Sequence, residues 1–163
     1  MKTLIVYYSL GGNTAWTAGR LAEALGADLL PLEPQTAYPH KGAAKFFWGG
    51  KSAVMGERPP LRPYVFAPEE YDRIILGFPV WAGTFAPPLR SFVLENRDAL
   101  QGKRLAAFAC ESGAGGEKAL RKLGKLLDVE RFSAELVLVD PKDKPSEENE
   151  VRLRSFCEAL EEM

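Results

Sequence analysis

The chain has 163 residues, 46% of them hydrophobic, and a formal net charge of −1. This length predicts one domain over residues 1–163, with enough apolar side chains for a buried core. The near-neutral charge argues against a nucleic-acid-binding protein, and no apolar run is long enough to predict a membrane span.

The first part of the chain predicts a strand, a helix and a second strand. Apolar residues fill Lys2–Tyr8, and helical spacing over Asn13–Leu25 ends at Gly26. A second strand is expected over Asp28–Leu32, because Pro34 follows it closely.

The middle of the chain predicts the centre of a sheet. Arg73–Phe78 is almost entirely apolar, as expected of a strand that is buried on both faces. A helix is expected to begin near Pro87. The next strand is expected over Arg104–Cys110, and another helix over Gly116–Leu127.

The last part of the chain predicts one more strand and a capped helix. The strand is expected over Phe132–Val139. The helix is expected to begin after Pro145, with Ser146 as its cap and Asn149 three residues later. Apolar residues then recur at helical spacing. The expected buried positions are Leu153, Phe156, Cys157 and Leu160.

The alternation of strands and helices predicts an α/β protein built from βα units. The expected architecture is a doubly wound three-layer sandwich around a five-stranded parallel sheet of order 2-1-3-4-5. In such sheets ligands bind beyond the carboxyl ends of the strands, where the strand order reverses between the first and the third. The loops after the first, third and fourth strands are therefore expected to meet.

The connection between Glu33 and Pro68 is long, basic and aromatic, and a short helix is expected within it over Ala43–Trp48. Interleaved basic and aromatic residues occur in nucleic-acid binders, but packing of the aromatics onto the sheet is the favoured interpretation. A third interpretation is a basic, aromatic lip that recruits an anionic substrate or partner. The residues concerned are Lys41, Lys45, Phe46, Phe47, Trp48 and Lys51.

The most informative segment is the loop Ser9–Thr14, between the first strand and the first helix. Its hydroxyls and glycines lead directly into the helix, so backbone N–H groups and the positive end of the helix dipole meet at one point and can capture a phosphate. No Lys or Arg lies between Thr3 and Gly19, so neutral hydrogen bonds are expected to hold it. The loop has neither the Gly-Lys-Ser/Thr ending of a P-loop nor the G-x-G-x-x-G dinucleotide pattern.

This loop resembles the phosphate loop of the flavodoxin family, whose members bind flavin mononucleotide (FMN). The family pattern is a hydroxyl residue, two intervening positions, Gly, a variable residue and Thr, which stand here as Ser9, Gly12, Asn13 and Thr14. Gly11 departs from the family, whose members often carry Thr there, and leaves only its backbone N–H to bind. The resemblance covers nearly the whole chain and implies a flavodoxin-like fold.

By the same resemblance, the segment after the central strand lines the flavin ring. Gly77-Phe78-Pro79-Val80-Trp81 resembles the Gly-x-Pro-x-Trp signature of many flavodoxin-like proteins. A large indole at a strand end suits a flat ring, although a core Trp beside a rigid turn gives the same pattern. Gly83 is expected to let the backbone adjust opposite flavin N5. The implied ring-binding residues are Pro79, Val80, Trp81, Ala82 and Gly83.

A glycine-rich loop follows the fourth predicted strand and lets the backbone approach a ligand closely. The resemblance places it at the pyrimidine edge or the ribityl side of FMN. Ser112 is expected to donate a hydrogen bond. Glu111 either places negative charge near the ring, which lowers the flavin potential, or is a solvated carboxylate. The expected contributors are Glu111, Ser112, Gly113, Gly115 and Gly116.

Little in the sequence suggests chemistry by the protein itself. Cys110 and Cys157 lack metal or redox spacing and are expected to be reduced thiols in a cytoplasmic protein. His40 is expected to be a solvated loop residue. No Ser/His/Asp set, metal cluster or acidic pair stands out. A response-regulator receiver is excluded, because Tyr8 and Ser9 occupy the place of its acidic pair.

Two functions remain open. The favoured one is an electron carrier that serves redox partner proteins through bound FMN. The alternative is an FMN-dependent oxidoreductase that takes hydride from NAD(P)H and reduces a quinone or a similar small acceptor. The near-neutral charge weakens the first, because flavodoxins are usually strongly acidic, and the short loops weaken the second. A flavodoxin-like protoporphyrinogen dehydrogenase is a further alternative that no motif selects. A module that no longer binds FMN is another, suggested by Gly11 in the phosphate loop.

Overall fold

The computed structural model of the protein describes residues 1–39 and 42–163, and only the backbone of residues 42–47. Five parallel strands form a sheet with helices on both faces, and a short strand pairs beside the central one. The strands are β1 (Thr3–Tyr7), β2 (Asp28–Pro31), β3 (Arg73–Trp81), β4 (Thr84–Phe85), β5 (Arg104–Glu111) and β6 (Glu135–Val139). The helices are α1 (Asn13–Leu25), α2 (Gly42–Val54), α3 (Pro87–Glu95), α4 (Arg97–Leu100), α5 (Gly116–Leu126) and α6 (Glu147–Glu161), and a 3-10 turn covers Pro68–Glu70.

The strand order is β2-β1-β3-β5-β6, and the short β4 runs antiparallel to the end of β3. With β4 left aside, this is the predicted 2-1-3-4-5 order of a doubly wound sheet, and the fold prediction is confirmed. The order reverses beside β1, which pairs with β2 on one side and with β3 on the other. The carboxyl ends of β1 and β3 therefore flank the crevice where such folds bind their ligands.

Both faces of the sheet are buried. Ile5 points to one face and packs in the same apolar cluster as Leu21 of α1 and Phe156 of α6. Its neighbour Val6 points to the other face. There it belongs to a second apolar cluster, which includes Phe92 of α3 and buried residues of α5. Because helices cover the sheet on both sides, the central strands are continuous apolar runs rather than alternating ones.

The helix ends follow the sequence signals closely. Gly26 adopts a left-handed conformation (φ 62°) just after α1, and its N–H donates to the carbonyl of Ala22. Ser146 caps α6 by accepting a hydrogen bond from the N–H of Asn149 at 3.1 Å. Both predicted helix ends are confirmed. All four predicted apolar positions of α6 are buried, namely Leu153, Phe156, Cys157 and Leu160.

The connection between β2 and β3 holds a longer helix than the sequence indicated, because α2 extends to Val54. The predictions for His40 and Lys41, and for the side chains of Lys45, Phe46 and Phe47, fall outside the described residues. Neither α2 nor any other helix that the structure describes is long and apolar enough to cross a bilayer.

The central strand is longer than predicted and ends in a hairpin. β3 continues through Trp81, and Val80 and Trp81 pair with Phe85 and Thr84 of β4. The residues between them, Ala82 and Gly83, both have positive φ angles, 51° and 71°. This is the geometry of a type I′ turn, which matches the twist of the flanking strands. The sequence did not indicate it, because the usual first residue of such a turn is Asn, Asp or Gly rather than Ala.

We expect the substitution Ala82→Gly to raise the free energy of unfolding by about 1 kcal/mol. An L-residue with a side chain is strained in the left-handed region, and glycine is not. Chemical denaturation of the two proteins measures the difference. Ala114→Gly is the matched control, because Ala114 is also exposed but lacks a positive φ angle, so this change is expected to destabilise. An equal loss of stability in both variants would show that the Ala82 turn is not strained.

Candidate functional site

A cavity of about 310 Å³ opens at the carboxyl edge of the sheet, between the segments that follow β1, β3 and β5. Most of the residues predicted from the sequence lie on its wall: Ser9, Gly11, Asn13, Thr14, Pro79, Val80, Trp81, Ala82, Gly83, Glu111, Ser112 and Gly113. The wall also contains residues that the sequence did not single out: Leu10, Gly50, Cys110, Ala114 and Asp140.

Three predicted glycines lie beside the cavity wall rather than on it. Gly12 precedes α1 in a left-handed conformation with a φ of 98°. Gly115 also has a positive φ, and a Cβ there would stand 3.1 Å from the backbone of Gly83. A Cβ on Gly116 would stand 2.6 Å from Val137. These glycines therefore let α1, the hairpin, α5 and β6 come close enough together to form the cavity.

The loop before α1 contains a buried hydroxyl that has no nitrogen or oxygen partner among the described residues and interacts only with the Cys110 thiol. Thr14 is only 1% exposed and lines the cavity, and its Oγ1 makes no hydrogen bond to any nitrogen or oxygen that the structure describes. Ser9 Oγ accepts a hydrogen bond from the Ala15 N–H at 3.0 Å, which ties the start of the loop to the first turn of α1. An unpaired buried hydroxyl is costly unless a ligand completes it. The residues present therefore suit an acceptor-rich group, such as a phosphate, at the start of α1.

Asn13 connects this loop to the segment after β6. Its Oδ1 accepts from the N–H groups of Lys142 at 2.9 Å and Asp143 at 3.4 Å, and its Nδ2 donates to Asp143 Oδ2 at 3.2 Å. The Lys142 ammonium lies over Gly12, so closely that a Cβ there would stand 2.8 Å from Nζ. The loop sequence has no cation of its own, but the fold brings one beside it. The prediction that neutral hydrogen bonds hold a phosphate in this loop stays a prediction, and the fold adds an ammonium group beside the loop.

Trp81 forms part of the cavity wall and is held from behind by aromatic rings. Tyr8 and Tyr38 meet its indole edge to face, at centroid distances of 5.7 and 5.1 Å. A Cβ on Gly49 of α2 would stand 3.2 Å from the indole, so that glycine lets the helix lie against it. Burial raises the pKa of both tyrosines, which keeps their hydroxyls protonated. Trp81 is therefore both a packed residue and a wall residue, which combines the two alternatives left open by the sequence.

Glu111 and Ser112 are engaged with the protein rather than free in the cavity. Glu111 Oε2 accepts a hydrogen bond from the Gly116 N–H at 2.7 Å, at the first turn of α5, so it is not merely a solvated carboxylate. Ser112 Oγ donates to Asp140 Oδ1 at 2.9 Å. Asp140 is 9% exposed and has a φ of 38°, which is unusual for a residue with a side chain. Asp140 directly follows β6, at the same edge of the sheet as the other loops, and this position could have identified it as a site residue from the sequence.

Cys110 lies on the cavity wall as an unreactive thiol. Burial raises its pKa to about 11, and the hydroxyl of Thr17, 3.6 Å from the sulfur, opposes this only in part. Cys157 is also buried and free, and burial raises its pKa as well. A buried thiol with a raised pKa is a weak nucleophile at neutral pH, because little of it is thiolate. In the part of the chain that the structure describes, no group of three or more His, Cys, Asp or Glu could hold a metal.

The arrangement suits binding better than acid–base chemistry by the protein. The cavity combines a helix start with an unpaired hydroxyl, an aromatic wall, and glycine-rich turns that expose backbone groups. Its two carboxylates, Glu111 and Asp140, already accept hydrogen bonds from the protein. Such a site fits a ligand with a phosphate at one end and a flat ring at the other.

Comparison with known families agrees with this geometry. A family model described as Flavodoxin matches residues 2–139 of the chain. The match extends from the start of β1 to the end of β6, and so includes the loops after β1, β3 and β5 that line the cavity.

Solved structures share the fold over most of their length. A protein of Bacteroides eggerthii, classed provisionally as a flavoprotein, is 21% identical with a TM-score of 0.76, covering 98% of both chains. A flavoprotein of Lactobacillus acidophilus solved in complex with FMN is 19% identical with a TM-score of 0.72, covering 87% of this chain and 95% of its own. Oxidised flavodoxin 1 of Bacillus cereus is 19% identical with a TM-score of 0.57, covering 100% and 99%. At these identities the likeness establishes the fold alone.

We expect Thr14→Val to stabilise the protein without ligand by about 1 kcal/mol, because it removes a buried hydroxyl that has no nitrogen or oxygen partner among the described residues. Thermal or chemical unfolding of the ligand-free protein measures the change. Thr17→Val is the matched control: its equally buried hydroxyl donates to the Asn13 carbonyl at 3.0 Å, so this variant is expected to be less stable than the wild type. If both variants lose stability equally, the Thr14 hydroxyl is satisfied in the ligand-free protein.

Proposed function

This chain belongs to the flavodoxin family, and we propose on that premise that it binds FMN in the cavity and transfers electrons through it. The observation that carries the proposal is the buried, unpaired Thr14 hydroxyl at the start of α1, inside a cavity formed by the segments after β1, β3 and β5. A phosphate supplies the acceptors that this hydroxyl and the first N–H groups of the helix lack.

The loop Ser9–Thr14 holds the phosphate in this proposal. Thr14 donates its hydroxyl, and Gly11 and its neighbours present their backbone N–H groups. Ser9 keeps the loop in shape, because its oxygen already accepts from Ala15. The predicted contributors Gly12 and Asn13 act mainly through backbone conformation and through the connection to the segment after β6.

In this proposal the β3–β4 hairpin and the glycine-rich loop after β5 hold the flavin ring system. Trp81 offers an indole fixed by Tyr8 and Tyr38, so little side-chain freedom is lost when a flat ring packs on it. Pro79, Val80, Ala82 and Gly83 complete that wall. On the other side, Glu111, Ser112 and Gly113 contribute directly, whereas Gly115 and Gly116 permit the close packing behind them.

Bound FMN supplies the redox chemistry, and the protein supplies position and electrostatics. Glu111 and Asp140 place two carboxylates on the cavity wall, and negative charge there disfavours adding electrons to a nearby group. The Cys110 thiol is kept out of this chemistry by its raised pKa. Redox partner proteins are the proposed donors and acceptors.

The cations around the cavity favour a second candidate, an FMN-dependent oxidoreductase that uses NAD(P)H and a small acceptor. Lys118 of α5 lies beside the hairpin turn, with Nζ 3.7 Å from the position of a Cβ on Gly83. On α2, Lys51 Nζ lies 5.3 Å from the centre of the Trp48 ring. The positive charge of Lys118 beside the hairpin suits the anionic pyrophosphate of a nicotinamide cofactor.

We expect Trp81→Ala to weaken FMN binding by about 1–3 kcal/mol through lost contact area with the ring. Quenching of flavin fluorescence during titration measures the dissociation constant. Because Trp81 also packs on Tyr8 and Tyr38, the thermal stability of the variant is measured in parallel. Trp16→Ala is the control, since Trp16 lies outside the cavity wall and its ring faces the Arg20 guanidinium at 5.0 Å. Unchanged FMN affinity in a folded Trp81→Ala protein would remove Trp81 from the site.

Anaerobic photoreduction of the FMN-loaded protein separates the two candidates. An electron carrier is expected to show a stable one-electron-reduced form with a long-wavelength absorbance band, and no rapid oxidation of NADH or NADPH. An oxidoreductase is expected to bleach directly in one two-electron step and to oxidise one of these cofactors when a quinone is present. Failure to bind FMN at all would reject both candidates.

A further inference from the structure

We propose that Lys142, on the segment after β6, binds the FMN phosphate as a cation and sets the preference of this site for FMN over riboflavin. The inference rests on the proposed function, since it concerns the same site. It adds a charged residue, distant in sequence, to a phosphate loop that has no Lys or Arg of its own.

The first ground is the position of the ammonium group. Lys142 Nζ lies over Gly12, 2.8 Å from where a Cβ on that residue would stand, and the end of the lysine stem follows at 3.4 and 3.7 Å. Any side chain at position 12 would displace the amine. Gly12 is also the residue that leads into α1, so the amine lies at the positive end of the helix where an anion is most favoured.

The second ground is that the backbone of Lys142 is anchored while its side chain is exposed. Asn13, the first residue of α1, accepts the N–H of Lys142 at 2.9 Å and that of Asp143 at 3.4 Å. Lys142 itself is exposed. A flexible stem on an anchored backbone lets the ammonium reach a phosphate oxygen without a change in the fold.

The third ground is that Lys142 has no competing carboxylate. The neighbouring acids are engaged elsewhere, because Asp140 pairs with Lys144 at 3.7 Å and Asp143 accepts from Asn13. Among the described residues, no Asp or Glu oxygen lies within 4.0 Å of Lys142 Nζ. An unpaired cation beside an anion-binding loop lowers the electrostatic cost of a phosphate dianion near Asp140.

The last ground is the unpaired hydroxyl of Thr14. It is buried, belongs to a residue that lines the same cavity, and has no described nitrogen or oxygen as an acceptor. A phosphate between the Thr14 hydroxyl and the Lys142 ammonium would receive one neutral and one charge-assisted hydrogen bond. Lys142 would also replace the donor that the loop lacks at Gly11.

The test is a comparison of ligands that differ only in the phosphate. Dissociation constants for FMN and for riboflavin are measured with the wild type, Lys142→Met and the control Lys125→Met, at low and at high salt. Lys125 is exposed in the last turn of α5, away from the cavity, and the control removes the same charge. Lys142→Met is expected to weaken FMN binding about tenfold, as for one charge-assisted hydrogen bond, and to leave riboflavin binding unchanged. Its FMN affinity is also expected to vary less with salt.

Inorganic phosphate is the second probe. Its binding is measured as the increase in the melting temperature of the protein when phosphate is added. We expect a shift for the wild type and for Lys125→Met, and a smaller one for Lys142→Met. FMN affinity that is equal in the wild type and Lys142→Met would overturn the inference and leave the proposed function standing. A Lys142-dependent phosphate shift without FMN binding would reject the proposed function and support the cation site. An equal loss of riboflavin and FMN affinity would also overturn the inference, because it would show a structural defect rather than a lost phosphate contact.

Discussion

The covering of both sheet faces is the constraint on which the rest of this structure depends. Once apolar side chains fill both sides of β1, β3 and β5, the strands have no accessible surface except at their ends. A site can then be built only from the segments that leave the sheet. The cavity collects those segments, and the side chains on its wall come from parts of the chain that are far apart in sequence.

The second requirement is that strands and helices can pack very close to one another, and small residues make this possible. Gly77 lies within β3 where a Cβ would stand 2.1 Å from the Phe108 ring, so a side chain there would push two central strands apart. Gly49 brings α2 against the Trp81 indole, and Gly116 brings α5 against Val137. Each of these glycines lets a segment near the cavity pack closely against its neighbour. The glycines of this chain are therefore as much a part of the core packing as of the loops.

The sequence predicted the sheet and the ends of α1 and α6 well, because periodic apolar residues and local caps decide them. It also indicated most of the cavity wall, because parallel strands bring their following loops to one edge. The hairpin was missed since Ala82 is an unusual residue for its turn. Asp140 was missed although it directly follows β6 at the same edge of the sheet. Lys142 was missed for a different reason: the hydrogen bond that brings it to Asn13 joins residues 129 positions apart. No local pattern carries such a contact.

The contacts of Asn13 have a consequence for how the chain is made. The loop before α1 leaves the ribosome well before Lys142 and Asp143, which follow only after all six strands have been synthesised. β3 and β5, which form the centre of the sheet, also follow the loop. During translation the nascent chain therefore carries the loop long before it carries the residues that fasten it. The contacts that fasten the loop can therefore form only after residue 143 has been synthesised, and nascent chains shorter than this carry the loop without them.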